Sequence, residues 1–168
     1  EADVSSLSLP DAHGRVPLLL ACCKGHIDVT RLLLERGVDA NAQDNDGWAA
    51  IHCAAAGGYI EVLQCLIASG ADVSLRGARG MTALHVACDH GHLSAVKYLC
   101  GQAQIDVDAT DDRDPGWTAL AKAIASSGFD ETRMEIVRYL IEEAGADYLG
   151  FLGIRADNDD QDQQPYYP

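Results

Sequence analysis

Small and apolar residues recur along this chain in blocks, and the blocks come in pairs. A compact block such as "AAIHCAAA" (49–56) is followed by a longer one, "YIEVLQCLIAS" (59–69), with Ile60, Leu63, Leu66 and Ile67 at helical spacing. The first predicts a short helix whose alanines let a neighbouring helix come close. The second predicts an amphipathic partner helix. Gly58 stands between them and Gly70 after them, where glycine's access to the left-handed conformation suits a helix end. The polar stretches on either side, "DNDG" and "ADVSLRGARG", read as turns.

The pair then repeats. "DAHGRVPLLLACCKGHIDVTRLLLERGVDANAQ" begins at Asp11, the block just described at Asp44, and "GARGMTALHVACDHGHLSAVKYLC" at Gly77. The turn glycines Gly14, Gly47 and Gly80 are 33 residues apart, and Gly116 follows 36 later. Leu18, Ile51, Leu84 and Leu120 share one column, Ala21, Ala54, Ala87 and Ala123 a second, and Leu33, Leu66, Leu99 and Leu140 a third. One such unit cannot bury its apolar face alone, whereas stacked units can, so the period predicts an all-helical solenoid.

The residues "MTALHVACDHGHLSAVKYL" and "GVDANAQDNDG" resemble ankyrin repeats, and the similarity runs over about residues 11–150. It implies an all-α ankyrin-repeat solenoid of stacked helix-turn-helix units with projecting β-hairpin loops, the fingers. The units fall at approximately 11–43, 44–76, 77–112 and 113–149. The Thr-Pro-Leu-His element is complete in none: the chain reads "VPLL", "AAIH", "TALH" and "TALA". Three extra residues lie between Leu99 and Gly116, and "SSGFDETR" (126–133) lengthens the loop inside the last unit. Residues 1–10 read as the remnant of a preceding repeat or an N-terminal cap, since "EADVSS" resembles "GADVSL" at 70–75. Residues 151–168 read as a C-terminal cap, "FLGI", and an acidic tail. Tyr166 and Tyr167 would anchor that tail in the chain's own or a neighbouring groove, the alternative being a plain extended end.

The resemblance also implies protein binding on the concave side, where the residue after each turn glycine would point. That column holds Arg15, Trp48, Met81 and Trp117. Rungs at a helix-packing distance of roughly 8–10 Å would form a ladder of residue types enriched at interface centres. The competing reading is that each ring folds down over its own turn. On the inner helices the same inferred groove is lined by Lys24, by Ala56 with Gly57, by Asp89 with His90, and by Ala125 with Ser126. The small pair in the second unit would leave room beside Trp48. Asn45, Asp46, Arg79, Asp112 and Asp114 supply a polar, mostly acidic rim.

Charge sharpens the expected partner. The net charge is −14, of which residues 1–100 carry −4 and residues 101–168 carry −10. An acidic surface repels phosphate backbones, which argues against nucleic acid, and attracts a basic protein or peptide. The expected partner is a protein or peptide with an apolar anchor and some positive charge. No apolar run approaches the roughly 18 residues of a membrane span, so insertion in a membrane is not expected. The six cysteines lie in apolar stretches without a Cys-x-x-Cys pair. They read as free thiols of a reducing compartment, cytoplasmic or nuclear.

Reactive constellations are weak. His85, Cys88, His90 and His92 have zinc-type side chains, but His85 and His92 repeat the columns of His52 and His26 and are better read as bonding between loops. Asp111, Asp112, Arg113 and Asp114 read as a solvated charge cluster rather than a calcium loop. The vicinal Cys22–Cys23 has no visible activating partner. No catalytic set, metal or cofactor is expected. The function expected is therefore a protein-interaction module, an adaptor, scaffold or regulatory domain. The alternative is a structural spacer without a ligand. "LLLERGVDAN" also resembles the pattern that asparaginyl hydroxylases modify in ankyrin proteins, with Asn41 as the matching residue.

Overall fold

The computed structural model describes residues 7–113, 115–126 and 130–148. Within them, eight α-helices form four pairs. The first pair is α1 (Pro17–Cys23) with α2 (Ile27–Glu35), and the second is α3 (Ala50–Gly57) with α4 (Ile60–Ala68). The third is α5 (Ala83–Asp89) with α6 (Leu93–Cys100), and the fourth is α7 (Ala119–Ala125) with α8 (Glu131–Glu142). The inner helices α1, α3, α5 and α7 stack on one another, and the outer helices do the same.

Local chemistry starts five of the helices. Pro17 sits at the head of α1, where its missing N–H is not needed. Thr118 caps α7 by accepting from the Ala121 N–H at 3.3 Å, and Asp130 caps α8 by accepting from the Arg133 N–H at 2.9 Å. In α3 and α5 a histidine reaches back instead. His52 Nδ1 accepts from the Ala49 N–H and His85 Nδ1 from the Thr82 N–H, each at 3.2 Å.

The periodic columns are the core. Leu18, Ile51, Leu84 and Leu120 from the inner helices meet Leu33, Leu66, Leu99 and Leu140 from the outer ones, and all are buried. Ala21, Ala54, Ala87 and Ala123 are buried as well, their methyl groups allowing the inner helices to close up. Glycine is required at the bend between paired helices. Gly25 and Gly58 have φ of +69° and +65°, and a Cβ there would lie 2.8 Å from the Tyr59 ring and 2.7 Å from the His92 ring. Each thus meets both a left-handed backbone and the side chain of the next repeat.

Every finger closes by the same hydrogen bond. The N–H of Asp11, Asp44, Gly77 and Asp111 donates to the carbonyl of Arg15, Trp48, Met81 and Trp117 respectively, at 2.8–3.0 Å. The fingers are tight turns rather than paired strands: among the described residues the only antiparallel bridge is Gln43–Ala49. The same bonds place the base of the fourth finger at Asp111 and divide the insertion. Asp111 lies one residue later than the period requires, and its finger is two residues longer than the others.

Candidate protein-binding groove

Three of the fingers are tied by a carboxylate. Asp11 Oδ1 accepts from the His13 and Arg15 N–H groups, Asp44 Oδ1 from Asp46 and Trp48, and Asp111 Oδ1 from Arg113 and Trp117, at 2.8–3.2 Å. The third finger has Gly77 at this position and no such tie. There Arg79 takes the left-handed conformation, with φ of +59°.

Neighbouring fingers are then stitched together. The Asn45 N–H donates to the His13 carbonyl at 3.0 Å, and the Asp112 N–H to the Arg79 carbonyl at 2.8 Å. His52 Nε2 bonds the Leu75 carbonyl at 3.0 Å, His85 Nε2 the Trp117 carbonyl at 2.9 Å, and His92 Nε2 the Ala56 carbonyl at 2.8 Å. His85 and His92 thus bond to a neighbouring repeat and His52 to the segment leading into the next finger, whereas His26 is exposed. Arg133 adds a fork, donating to the Cys88 and Asp89 carbonyls at the end of α5 at 3.2 and 2.8 Å.

On the face formed by the fingers and inner helices lies a groove of about 410 Å³, lined by Cys23, Trp48, His52, Cys53, Ala56, Gly57, Val86 and His90. It crosses three repeats. Ala56 and Gly57 keep one side low, because neither carries more than a methyl group. Trp48 is half-buried. It meets His52 edge-on, with ring centroids 5.5 Å apart, and a Cβ on Gly77 would stand 3.1 Å from the indole. The indole therefore lies against the next finger rather than standing out from a tip, and its remaining surface lines the groove.

The rest of the expected ladder is dispersed. Met81 is half-buried and packs on the core. Trp117 is engaged by the chain's own cations, with the Arg113 guanidinium 4.5 Å and Lys122 Nζ 5.8 Å from its ring centroid. Arg15 is drawn into its own finger by Asp11 at 2.7 Å, and that guanidinium holds the Asp11 carboxyl down at about 2. Asp89 accepts from Ser126 Oγ at 2.6 Å and is half-buried. Asn45, Asp46, Arg79 and Asp112 are exposed rim residues, and Asp112 pairs with Arg76 at 2.8 Å. Lys24 and Ala125 are exposed. Asp114 lies outside the described residues, as do "EADVSS", "FLGI" and the acidic tail. Of the expected site residues, Trp48, Ala56, Gly57 and His90 share this one groove.

Asp111 is not part of a solvated cluster. Its side chain is fully buried, with the Arg113 Nε at 3.2 Å and Lys122 Nζ at 3.6 Å. Lys122 is itself only 4% exposed. Burial pushes the Asp111 carboxyl up. The Trp117 and Arg113 N–H groups and the Lys122 and Arg113 charges outweigh it and hold the carboxyl below its ordinary value. Neither the burial nor the ion pair shows in the sequence. The available signal is Lys122 standing in the column of Leu20, Cys53 and Val86.

Asn41 also serves the stack. Its Nδ2 donates to the Gly70 carbonyl at 3.2 Å, and its Oδ1 accepts from the Asp72 N–H at 2.8 Å. A hydroxylase would have to detach this amide to reach it. Asn41→Ala removes both inter-repeat bonds at a half-buried site. It should destabilise the array by about 1–2 kcal/mol, read as a lower urea midpoint. An unchanged midpoint would show that water replaces the amide without loss.

The family model for ankyrin repeats (3 copies) matches residues 2–77 and 61–150. The chain belongs to the ankyrin-repeat family. Such repeats are generally protein–protein interaction modules, and this ankyrin-repeat array has the family's all-α solenoid form. It is 37% identical over 51 residues to the mouse "Protein fem-1 homolog A-like", 30% of this chain and 8% of that protein. It is 43% identical over 42 residues to the mouse "Protein phosphatase 1 regulatory subunit 12A", 25% of this chain and 4% of that one. The rat form of the latter matches over the same share. The ankyrin-repeat chain thus spans less than a tenth of the length of these relatives.

Proposed function

We propose that this ankyrin-repeat array binds a protein or peptide along the groove between Trp48 and the Ala56–Gly57 floor, as an adaptor or regulatory module. The observation that carries the reading is the groove itself. It has an aromatic wall, a floor cut down to a methyl and a hydrogen, and a volume of about 410 Å³. One apolar side chain would enter beside the indole. Positive residues flanking it would meet the exposed Asp46 carboxylate and the Asp112 carboxylate, which would trade Arg76 for them. The naming of one relative as a regulatory subunit agrees with such a role. A reducing compartment, cytoplasm or nucleus, suits the six free thiols.

The test separates binding from stacking. Peptides are selected from a displayed random library on the wild-type protein and titrated against variants. Ala56→Leu fills the groove while its backbone carbonyl still accepts from His92, so it should abolish binding while the melting temperature stays near that of wild type. Trp48→Ala should cost about 2 kcal/mol of binding and also lower the melting temperature, because the indole packs on His52 and the Gly77 turn. Selected peptides should share an apolar residue flanked by lysine or arginine. If they bind Ala56→Leu as well as wild type, the groove is not the site. If none is selected, the spacer reading stands.

A further inference from the structure

Cys22 and Cys23 are neighbours in sequence but face different surroundings. Cys22 is buried, its sulfur 3.6 Å from Thr30 Oγ1, and burial pushes its thiol up to about 11. Cys23 is exposed at the end of α1 and lines the groove. The half-buried Cys53, on the adjacent inner helix α3, lines the same groove. The pair is therefore Cys23 with Cys53, thirty positions later, and not the vicinal one.

We propose that Cys23 and Cys53 form an oxidisable dithiol in the groove, a modification site for hydroperoxides that closes to a disulfide joining α1 and α3. Cys23 is the attacking thiol. Interaction with the Cys53 thiol, to which Lys24 and Arg15 add positive charge, outweighs burial and brings Cys23 down to about 7. Sharing its proton toward Cys23 pushes the Cys53 thiol up, and burial adds to this. The Cys23 thiolate attacks the peroxide oxygen, the O–O bond breaks, and hydroxide leaves with the electron pair and takes a proton to become water. Cys23 is then a sulfenic acid. Cys53 loses its proton and attacks the Cys23 sulfur, the S–S bond forms, and the sulfenic hydroxyl leaves as a second water. Two thiols and one hydrogen peroxide give one disulfide and two waters. Closure brings the two sulfurs to about 2.05 Å and ties the adjacent helices α1 and α3 together.

The experiment uses the whole chain, titrated with hydrogen peroxide at neutral pH. Two of the six thiols should disappear, and non-reducing peptide maps should join the peptide of Cys23 to that of Cys53, reversibly with dithiothreitol. Cys23 should be consumed at least ~10-fold faster than Cys22 or Cys100, whose thiols burial pushes up to about 11. Cys53→Ser should stop the reaction at a Cys23 sulfenic acid that dimedone traps. Cys23→Ser should leave all five remaining thiols reduced over the same time. The rate should rise with pH around about 7. The proposal is overturned if Cys23 reacts no faster than Cys100, or if the disulfide that forms joins other cysteines or two molecules. Because the readout is thiol chemistry, it stands or fails apart from peptide binding.

Discussion

Asp111→Ala should destabilise the array by about 3–5 kcal/mol, the largest effect of any single polar replacement. The carboxylate is buried, closes the fourth finger through the Trp117 and Arg113 N–H groups, and is the counter-charge of the buried Lys122. Its removal leaves a cation in the interior and opens the finger whose Trp117 carbonyl receives His85. Adding Lys122→Met should recover a large part of the loss. An apolar chain fits the column of Leu20, Cys53 and Val86, and the unpaired charge is then gone. Denaturant melts of the single and double variants decide this, and equal midpoints for wild type and Asp111→Ala would refute the buried pair. The pH dependence has a definite sign. The folded carboxyl titrates below the ordinary value of about 3.9, so its contribution is whole above about pH 4 and fades as pH falls through the lower folded value. The variant should lack that acid limb.

His52→Ala should cost about 2–4 kcal/mol, from a cavity plus two buried bonds left unmade. The ring is 1% exposed. Nδ1 accepts from the Ala49 N–H, so the proton sits on Nε2, which donates to the Leu75 carbonyl of the next finger. The imidazole is thus held neutral. Burial is the largest influence and lowers its pKa, and the carbonyl bonds only partly oppose it. The unfolded chain takes up the proton first. The contribution is complete above about pH 6.5 and is lost between there and the lower folded value as pH falls. His85 has the same arrangement and the same direction. Wild type should lose stability between pH 7.5 and 5.5, and His52→Ala should lose less over that interval. Parallel pH curves for the two proteins would mean that His52 does not titrate in folding.

The groove was half visible beforehand. Trp48, Ala56 and Gly57 are recognisable because a large ring and two small residues occupy columns that period 33 assigns to one face. Met81 and Trp117 share the column of Trp48 but not its surroundings. The third finger lacks an aspartate at its base, and the fourth is two residues longer, which brings Arg113 over the indole. A column predicts a shared surface only while the loops that carry it keep the same length and tie.

The repeat, the helix pairs and the buried columns were determined by the sequence itself, through Leu18, Ile51, Leu84, Leu120 and their companions. In a stack each unit makes the same contacts with its neighbours, so the requirement for burial is written again every 33 residues and can be read without coordinates. The histidine bonds belong to this class, since period alone places His52 and His85 at equivalent joints. Only the tertiary structure decided that Asp111 is buried with Lys122, that Trp48 lies down on Gly77, and that Cys23 faces Cys53 rather than Cys22. Each of these joins particular side chains on different elements, where a one- or two-residue change in loop length or the choice of rotamer sets the partner. Neither leaves a periodic trace.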